Sequence, residues 1–189
     1  MYNSNTLGGI RMRVLAIIFD GFEELEATAP FALLRRAGLD LTIVSNRNEV
    51  VGAHYIHIMD VSLINEIDYK DFDALLLPGG PHYRFMETFG YAIEIIKYFM
   101  NHNKVVGAIC AAPTILGRLG YLKNRNYTCF TCLNEDFGGT YLDERVIVDG
   151  NLITARSAAT SIDFAYEIIR KLSGEEALLS LRKRIYDEE

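Results

Sequence analysis

Short unbroken apolar runs recur along the chain, and most are followed by a stretch whose apolar residues return every three or four positions. RVLAIIF (13–19), DFDALLLPGG (71–80) and KVVGAI (104–109) contain runs of this kind, and LDLTIVS (39–45) reads as a further strand. A strand that is apolar without alternation is covered on both faces, as in the middle of a parallel sheet. Helices are predicted over 20–38, 88–101 and 111–119. In the first, acidic residues crowd the start and Arg35 and Arg36 the end, which complements the helix dipole. Gly38 stops it, and Pro30 is expected to kink it. In the second, Ala92, Ile95, Ile96 and Phe99 share one face. Residues 50–58 read as a minor extended pair around Gly52, and NYTCFT (126–131) as a strand. RVIVDGNLITAR (145–156) reads as a hairpin turning at Asp149-Gly150. Helix 160–172 is expected to bury Ile162, Ala165, Tyr166 and Ile169, and helix 174–186 to bury Leu178, Leu181 and Ile185.

Buried strands alternating with helices predict a doubly wound, mostly parallel α/β sheet, with helices on both faces and one antiparallel hairpin. We expect one domain over 13–186, with residues 1–12 a short extension that lacks the apolar stretch of a signal peptide. In such sheets function gathers at the carboxyl ends of the strands. Segments 20–26, 78–84 and 110–114 leave strands at that edge.

Composition narrows the classes. Of 189 residues half are hydrophobic and 23% charged, which suits a folded globular chain. The net charge is −6 and the basic residues form no stripe, so nucleic acid is a poor partner. No apolar run is long enough to span a bilayer. Cys110, Cys129 and Cys132 are an odd set without a disulfide framework, which points to a reducing cytoplasm.

The segment KVVGAICAAPTIL (104–116) puts Cys110 where strand gives way to helix, among residues no larger than alanine except Ile109 and Pro113. A turn that sharp demands small neighbours. This is the pattern of a nucleophile elbow written around cysteine. Pro113 suits the first helical turn. Amides at a helix start favour negative charge, so the thiol is expected to titrate at lower pH than a free cysteine. The alternative is an inert packing cysteine.

FEELE places Glu23, Glu24 and Glu26 after the first strand. Glu23 and Glu24 read as a solvated acidic helix start. Glu26 lies one turn in, near the core side, and beside a thiolate it would share a proton with Cys110. Gly79 and Gly80 let backbone amides face the cleft, and with the amide of Ala111 they could hold an oxyanion. The alternative there is a plain strand-ending turn. Of His54, His57, His82 and His102, only His82 could pair with Cys110, though its neighbours suggest an exposed loop. His54 and His57 point to opposite faces of an extended segment and chelate poorly. No metal site and no cofactor is expected. Cys129-x-x-Cys132 lacks a second ligand pair, so it reads as packing, with Cys132 a candidate resolving thiol.

The ordered set DGFEELEA, LLRRAGLDLTIVS, ALLLPGG, GAICAAPTIL and DGNLITARSAATS resembles the ThiJ/PfpI family over roughly residues 12–184. It is most similar to the small single-domain branch, with the bacterial ThiJ-like proteins and the Parkinson-disease protein deglycase. The resemblance implies a flavodoxin-like fold, related to class I glutamine amidotransferases, and a homodimer. It implies that Cys110 is reactive and oxidation-sensitive and that Glu26 is a protonated glutamate bonded to it. Amides of Gly80 and Ala111 would complete the sulfur's surroundings, with Arg36 near the site and the dimer interface. Ala111 stands where the protease-like branch carries histidine. Cys129 and Phe130 stand where some small members carry one. A peptidase is therefore not implied. The expected function is cysteine-dependent action on small reactive carbonyls or their adducts, glyoxalase- or deglycase-like, in stress protection. The alternative is a redox-sensing or chaperone-like protein whose Cys110 is oxidised to sulfinic acid. A third is a structural dimer with a vestigial site.

Overall fold

A computed structural model describes residues 11–187. The first apolar run is strand β1 (Arg13–Ile17), followed by helix α1 (Glu24–Arg36) and strand β2 (Asp40–Ser45). Three two-residue strands follow: β3 (Val50–Val51), β4 (His57–Ile58) and β5 (Ser62–Leu63). Then come β6 (Ala74–Leu77), the one-turn helix α2 (Tyr83–Met86), α3 (Gly90–Asn101), β7 (Val105–Ile109) and α4 (Ala112–Arg118). The last part holds β8 (Asn126–Tyr127), β9 (Thr140–Tyr141), β10 (Val146–Asp149), β11 (Leu152–Ala155), α5 (Ser161–Ser173) and α6 (Glu175–Arg184).

Seven strands form one sheet in the order β10-β11-β7-β6-β1-β2-β5. Every pairing is parallel except β10 with β11. From β1 the chain first moves outward to β2 and β5, then crosses back to β6 and continues to β7. The order therefore reverses between β1 and β6, and a crevice opens outside their carboxyl ends. This is the expected α/β architecture. The small pair β3–β4 is antiparallel, as expected around Gly52.

The unbroken apolar runs reflect two cores, one per sheet face. Leu15, Ile17, Leu75, Leu77, Val106 and Ala108 face the side covered by α3 and α4. Val14, Ala16, Ala74, Leu76 and Ile109 face the side covered by α1, α5 and α6. Successive strand residues alternate between the cores, so each position must be apolar.

Several element boundaries differ from the sequence expectation. Helix α1 begins at Glu24, because the Glu23 side chain accepts a hydrogen bond from the Glu26 amide at 2.8 Å and caps the helix there. It continues through Pro30 to Arg36. The expected strand 126–131 pairs only at Asn126–Tyr127, with β9. Beyond it the Phe130 amide turns to the Cys110 carbonyl, and residues 131–133 make a single 3-10 turn. Helix 88–101 starts at Gly90, preceded by the unforeseen α2.

Ile162, expected in the core, is 52% exposed, and Phe164 is fully buried instead. The two lie roughly 200° apart around the helix, so they cannot share a face. Leu178 and Leu181 are buried as expected, and Ile185 packs against the same core as a partly buried side chain. Phe164→Ala should lose about 3–5 kcal/mol in urea unfolding. Ile162→Ala should stay within about 0.5 kcal/mol of the parent. Similar losses for both would refute this placement.

Candidate functional site

The carboxyl ends of β1, β6 and β7 are neighbours in the sheet, so the loops that leave them meet. Cys110 follows β7 with φ +63°, the left-handed region that a residue with a side chain adopts at a penalty of about 1–2 kcal/mol. Its amide donates to the Ala155 carbonyl at 2.9 Å, and its carbonyl accepts from the Phe130 amide at 2.8 Å. Both backbone groups are thus held while the chain turns sharply into α4. This is the elbow inferred from the small residues around the cysteine. The side chain is partly exposed, not sealed in the core.

Glu26 reaches the cysteine from α1. It is 1% exposed, and its carboxyl lies beside Cys110, both packed against Gly79. The Gly79 amide donates to Glu26 Oε2 at 3.0 Å, and the Ala158 amide also approaches it. Gly79 is needed for this contact. A Cβ there would lie 2.5 Å from Glu26 Oε2 and 2.8 Å from Cys110 Cβ. Because Gly79's amide serves Glu26, it is not free for an oxyanion, which corrects one sequence expectation. The amides of Gly80 and Ala111 are the ones whose influence reaches the Cys110 sulfur, pulling its titration down. The contribution of Ala158 carried no sequence signal, since a backbone amide can come from any residue.

Burial pushes the Glu26 carboxyl up to about 7, and the charge of Glu23 adds to the effect. Burial also pushes the Cys110 thiol up, as does the Glu26 charge, while the Ala111 and Gly80 amides pull it down. The thiol is therefore shifted up, not down as its place at a helix start predicts: α4 is only 7 residues long, and burial outweighs its amides. Two negative charges do not fit this space. When Glu26 keeps its proton, its opposing charge is gone and its O–H can donate to the sulfur.

The remaining candidates lie elsewhere. His82 is 2% exposed, not on an exposed loop. Its Nδ1 accepts from the Phe19 amide at 3.0 Å and its Nε2 donates to the Pro78 carbonyl at 2.9 Å. With both nitrogens used by backbone it is not a base for Cys110; it ties the loop after β1 to the loop after β6. Arg36 is exposed at the far end of α1, about 15 Å of helix from Glu26. Within one chain it is not beside the site. Glu23 caps α1, and Glu24, expected to be solvated, is 4% exposed. Cys129 is buried, and burial pushes its thiol up to about 12, whereas Cys132 is exposed. His57 Nδ1 lies 2.7 Å from Glu49 Oε1.

A model of the DJ-1/PfpI family matches residues 12–171. The chain belongs to the DJ-1/PfpI family. It is 34% identical over 178 residues to the Arabidopsis thaliana protein named DJ-1 homolog B, a match covering 90% of this chain and 40% of that protein. Against the similar plant protein DJ-1 homolog A the figure is 45%, so the chain spans less than half the length of these two relatives. It is 31% identical over 165 residues to a Thermococcus kodakarensis protein named a deglycase, covering 85% of this chain and 99% of that one. The crystal structure of Drosophila melanogaster DJ-1beta superposes with a TM-score of 0.87 at 28% identity, covering 94% of this chain and 98% of that one. Among the described residues of this DJ-1/PfpI chain, no helix is long and apolar enough to cross a membrane.

Two predictions follow from the geometry. Replacing Cys110 with glycine removes the strain of its positive φ, whereas alanine retains it. Cys110→Gly should therefore unfold at higher urea than Cys110→Ala, by about 1 kcal/mol. Equal stabilities would contradict a strained elbow. His82 is held neutral, its pKa lowered from 6.5 to about 4 by burial. The unfolded chain binds that proton first, so this stabilisation is full above pH 6.5 and is lost as pH falls towards 4. It amounts to about 3 kcal/mol at most. Urea unfolding across this window should show a shallower pH dependence in His82→Gln, and identical slopes would exclude the assignment.

Proposed function

We propose that Cys110 and Glu26 act together on small reactive carbonyl compounds or their adducts, as a glyoxalase- or deglycase-like activity in stress protection. The observation that supports this is the buried acid–thiol contact at a strained strand-to-helix turn. A relative at 31% identity carries the name deglycase. With methylglyoxal, the sulfur forms a bond to the aldehyde carbon while the C=O π bond opens and its oxygen takes the proton held between the sulfur and Glu26, which leaves Glu26 ionised. The product is a hemithioacetal. The amides of Gly80 and Ala111, which favour negative charge at the sulfur, are the groups that would stabilise the developing oxyanion. Glu26 then takes the proton from the former aldehyde carbon and returns it to the neighbouring carbon, while the hydroxyl proton passes from the first oxygen to the second, leaving a thioester. Water cleaves the carbon–sulfur bond, releases a hydroxy acid and restores the thiol. A carboxyl near 7 suits a group that must both give and take a proton near neutral pH.

Methylglyoxal turnover should vanish in Cys110→Ala and fall about 100-fold or more in Glu26→Gln. The wild-type kcat should also change as pH rises through about 7, where Glu26 loses its proton, and that inflection should be absent from Glu26→Gln. Turnover by Cys110→Ala equal to the parent would end this reading.

One observation favours a second reading. His82, the histidine nearest these loops in sequence, has both nitrogens bonded to backbone, so Cys110 has no imidazole base there. Oxidation needs none. One hydrogen peroxide transfers an oxygen to the Cys110 thiolate with loss of hydroxide, and a second converts the sulfenic to the sulfinic acid. The Glu26 O–H and the same two amides would hold the product. Graded peroxide should add two oxygen atoms to the intact mass of the wild type before any addition to Cys110→Ala. The same mass gain in both proteins would assign the oxidation to exposed Cys132 instead.

As the family resemblance implies, we further propose a homodimer, and the three free cysteines suit a reducing cytoplasm. Leu25, Tyr55, Ile56 and Met59, all exposed large side chains, lie on α1's first turn and on or just after the β3–β4 hairpin, and offer the contact.

A further inference from the structure

Beside the cysteine site lies a second cluster that the proposed chemistry does not use. Glu23 and Glu24 start α1, and His54 sits on the β3–β4 turn. One ligand atom from each lies within 4.8 Å of the others. An acidic cluster alone means little, because such groups often sit together on a surface. Glu24 makes this one different. Its side chain is under the hairpin, and the Glu24 residue is only 4% exposed. Oε1 accepts from the His54 amide at 2.5 Å and lies 3.5 Å from the Ile56 amide. Oε2 is buried with no hydrogen-bond partner, the one such side-chain atom among the described residues. An orphaned buried carboxylate oxygen is costly and is normally matched by a donor or a cation.

The hairpin is shaped around this carboxylate. A Cβ on Gly52 would fall 2.3 Å from Glu24 Oε1 and 2.5 Å from Cδ, so only glycine leaves the space. The hydrogen bonds that hold Oε1 turn the carboxylate towards the hairpin tip that carries His54. The His54 side chain is exposed in the single chain, at the margin of the homodimer contact proposed above, and its imidazole can rotate onto an ion held by its own chain.

We propose that Glu23, Glu24 and His54 bind one divalent transition-metal ion, with Zn²⁺ as the probe. Two carboxylates and an imidazole are hard-to-borderline donors that suit Zn²⁺. Ligands at about 2.0–2.2 Å from such an ion stand about 3–4 Å apart, within a small side-chain movement of the present spacing. Three protein ligands leave a position for water or an external ligand. The ion would pair the orphaned Glu24 oxygen and fasten the hairpin to the first turn of α1, two residues before Glu26. This proposal does not depend on the carbonyl or redox reading of Cys110.

The test uses the full chain, stripped with EDTA and dialysed, then titrated with Zn²⁺ by calorimetry and checked by native mass spectrometry. One equivalent should bind and raise the thermal midpoint. Cysteine is the competing ligand, so Cys110→Ala and Cys132→Ala are titrated in parallel and should keep the site. His54→Ala, an exposed change that spares folding, should weaken binding at least about tenfold. Glu24→Gln should do the same, and if it folds poorly His54→Ala alone decides. No binding by wild type, unchanged binding by His54→Ala, or loss of binding in either cysteine variant would overturn the assignment. The first of these would show that the Glu24 oxygen is matched by another group, such as a cationic side chain of a second copy.

Discussion

Everything at the strand edge is arranged around one contact: a buried carboxyl against a thiol that the backbone holds in a strained turn. Neither group would choose that environment alone. Burial penalises both anions, and placing them together penalises the doubly charged state further. The site therefore accommodates at most one negative charge comfortably. That charge has amides from Gly80 and Ala111 when it sits on sulfur, and amides from Gly79 and Ala158 when it sits on Glu26. A carboxyl–thiol pair with donors aimed at both ends is a place where a proton can move with little rearrangement of the protein. Both readings of Cys110 draw on that property, one by moving the proton along a substrate and the other by keeping it to hold an oxidised sulfur.

The strain at Cys110 is maintained by elements far apart in sequence. The Ala155 carbonyl at the end of β11 takes the cysteine amide, and the Phe130 amide takes its carbonyl. His82 joins the β1 and β6 loops through its two ring nitrogens, so the acid and the glycine turn cannot drift apart independently. Neutral imidazole is essential to this tie, since a protonated Nδ1 could not accept the Phe19 amide. Geometry at the elbow is thus over-determined by the surrounding loops, the condition under which backbone strain persists in a folded protein.

Legibility in the sequence followed the range of the forces. The inner strands were plain, because being covered on both faces forces every residue of VLAI, ALLL and VVGAI to be apolar. The sharp turn at Cys110 was legible from the small residues it demands, and Glu26 from a carboxylate placed where the core side of a helix begins. Boundaries set by a single side chain were not. Glu23 capping α1 moved its start, and Phe164 displaced Ile162 from the α5 core, although both isoleucine and phenylalanine satisfied the apolar count. His82 looked exposed because its neighbours are polar and glycine-rich, while it packs beside Phe19, a residue brought in by tertiary packing. The direction of the thiol shift was also out of reach, since burial at a site depends on which loops cover it and not on the helix that follows.

The first turn of α1 shows how two buried carboxylates can coexist two residues apart. Glu24 and Glu26 are roughly 200° apart around the helix, so they leave it in nearly opposite directions. Glu26 enters the crevice between strand ends, Glu24 goes under the β3–β4 hairpin, and Leu25 between them is 57% exposed. Each carboxylate is received by backbone amides from a different loop, Gly79 on one side and His54 on the other. Each also requires a glycine opposite it, Gly79 and Gly52, where any side chain would collide. The helix start is thereby clamped between two loops, and the free amides of its first turn favour both negative ends. A residue that must hold a proton against a sulfur gains its position from this clamp, because a frayed first turn would let Glu26 swing into water and leave Cys110 without its partner.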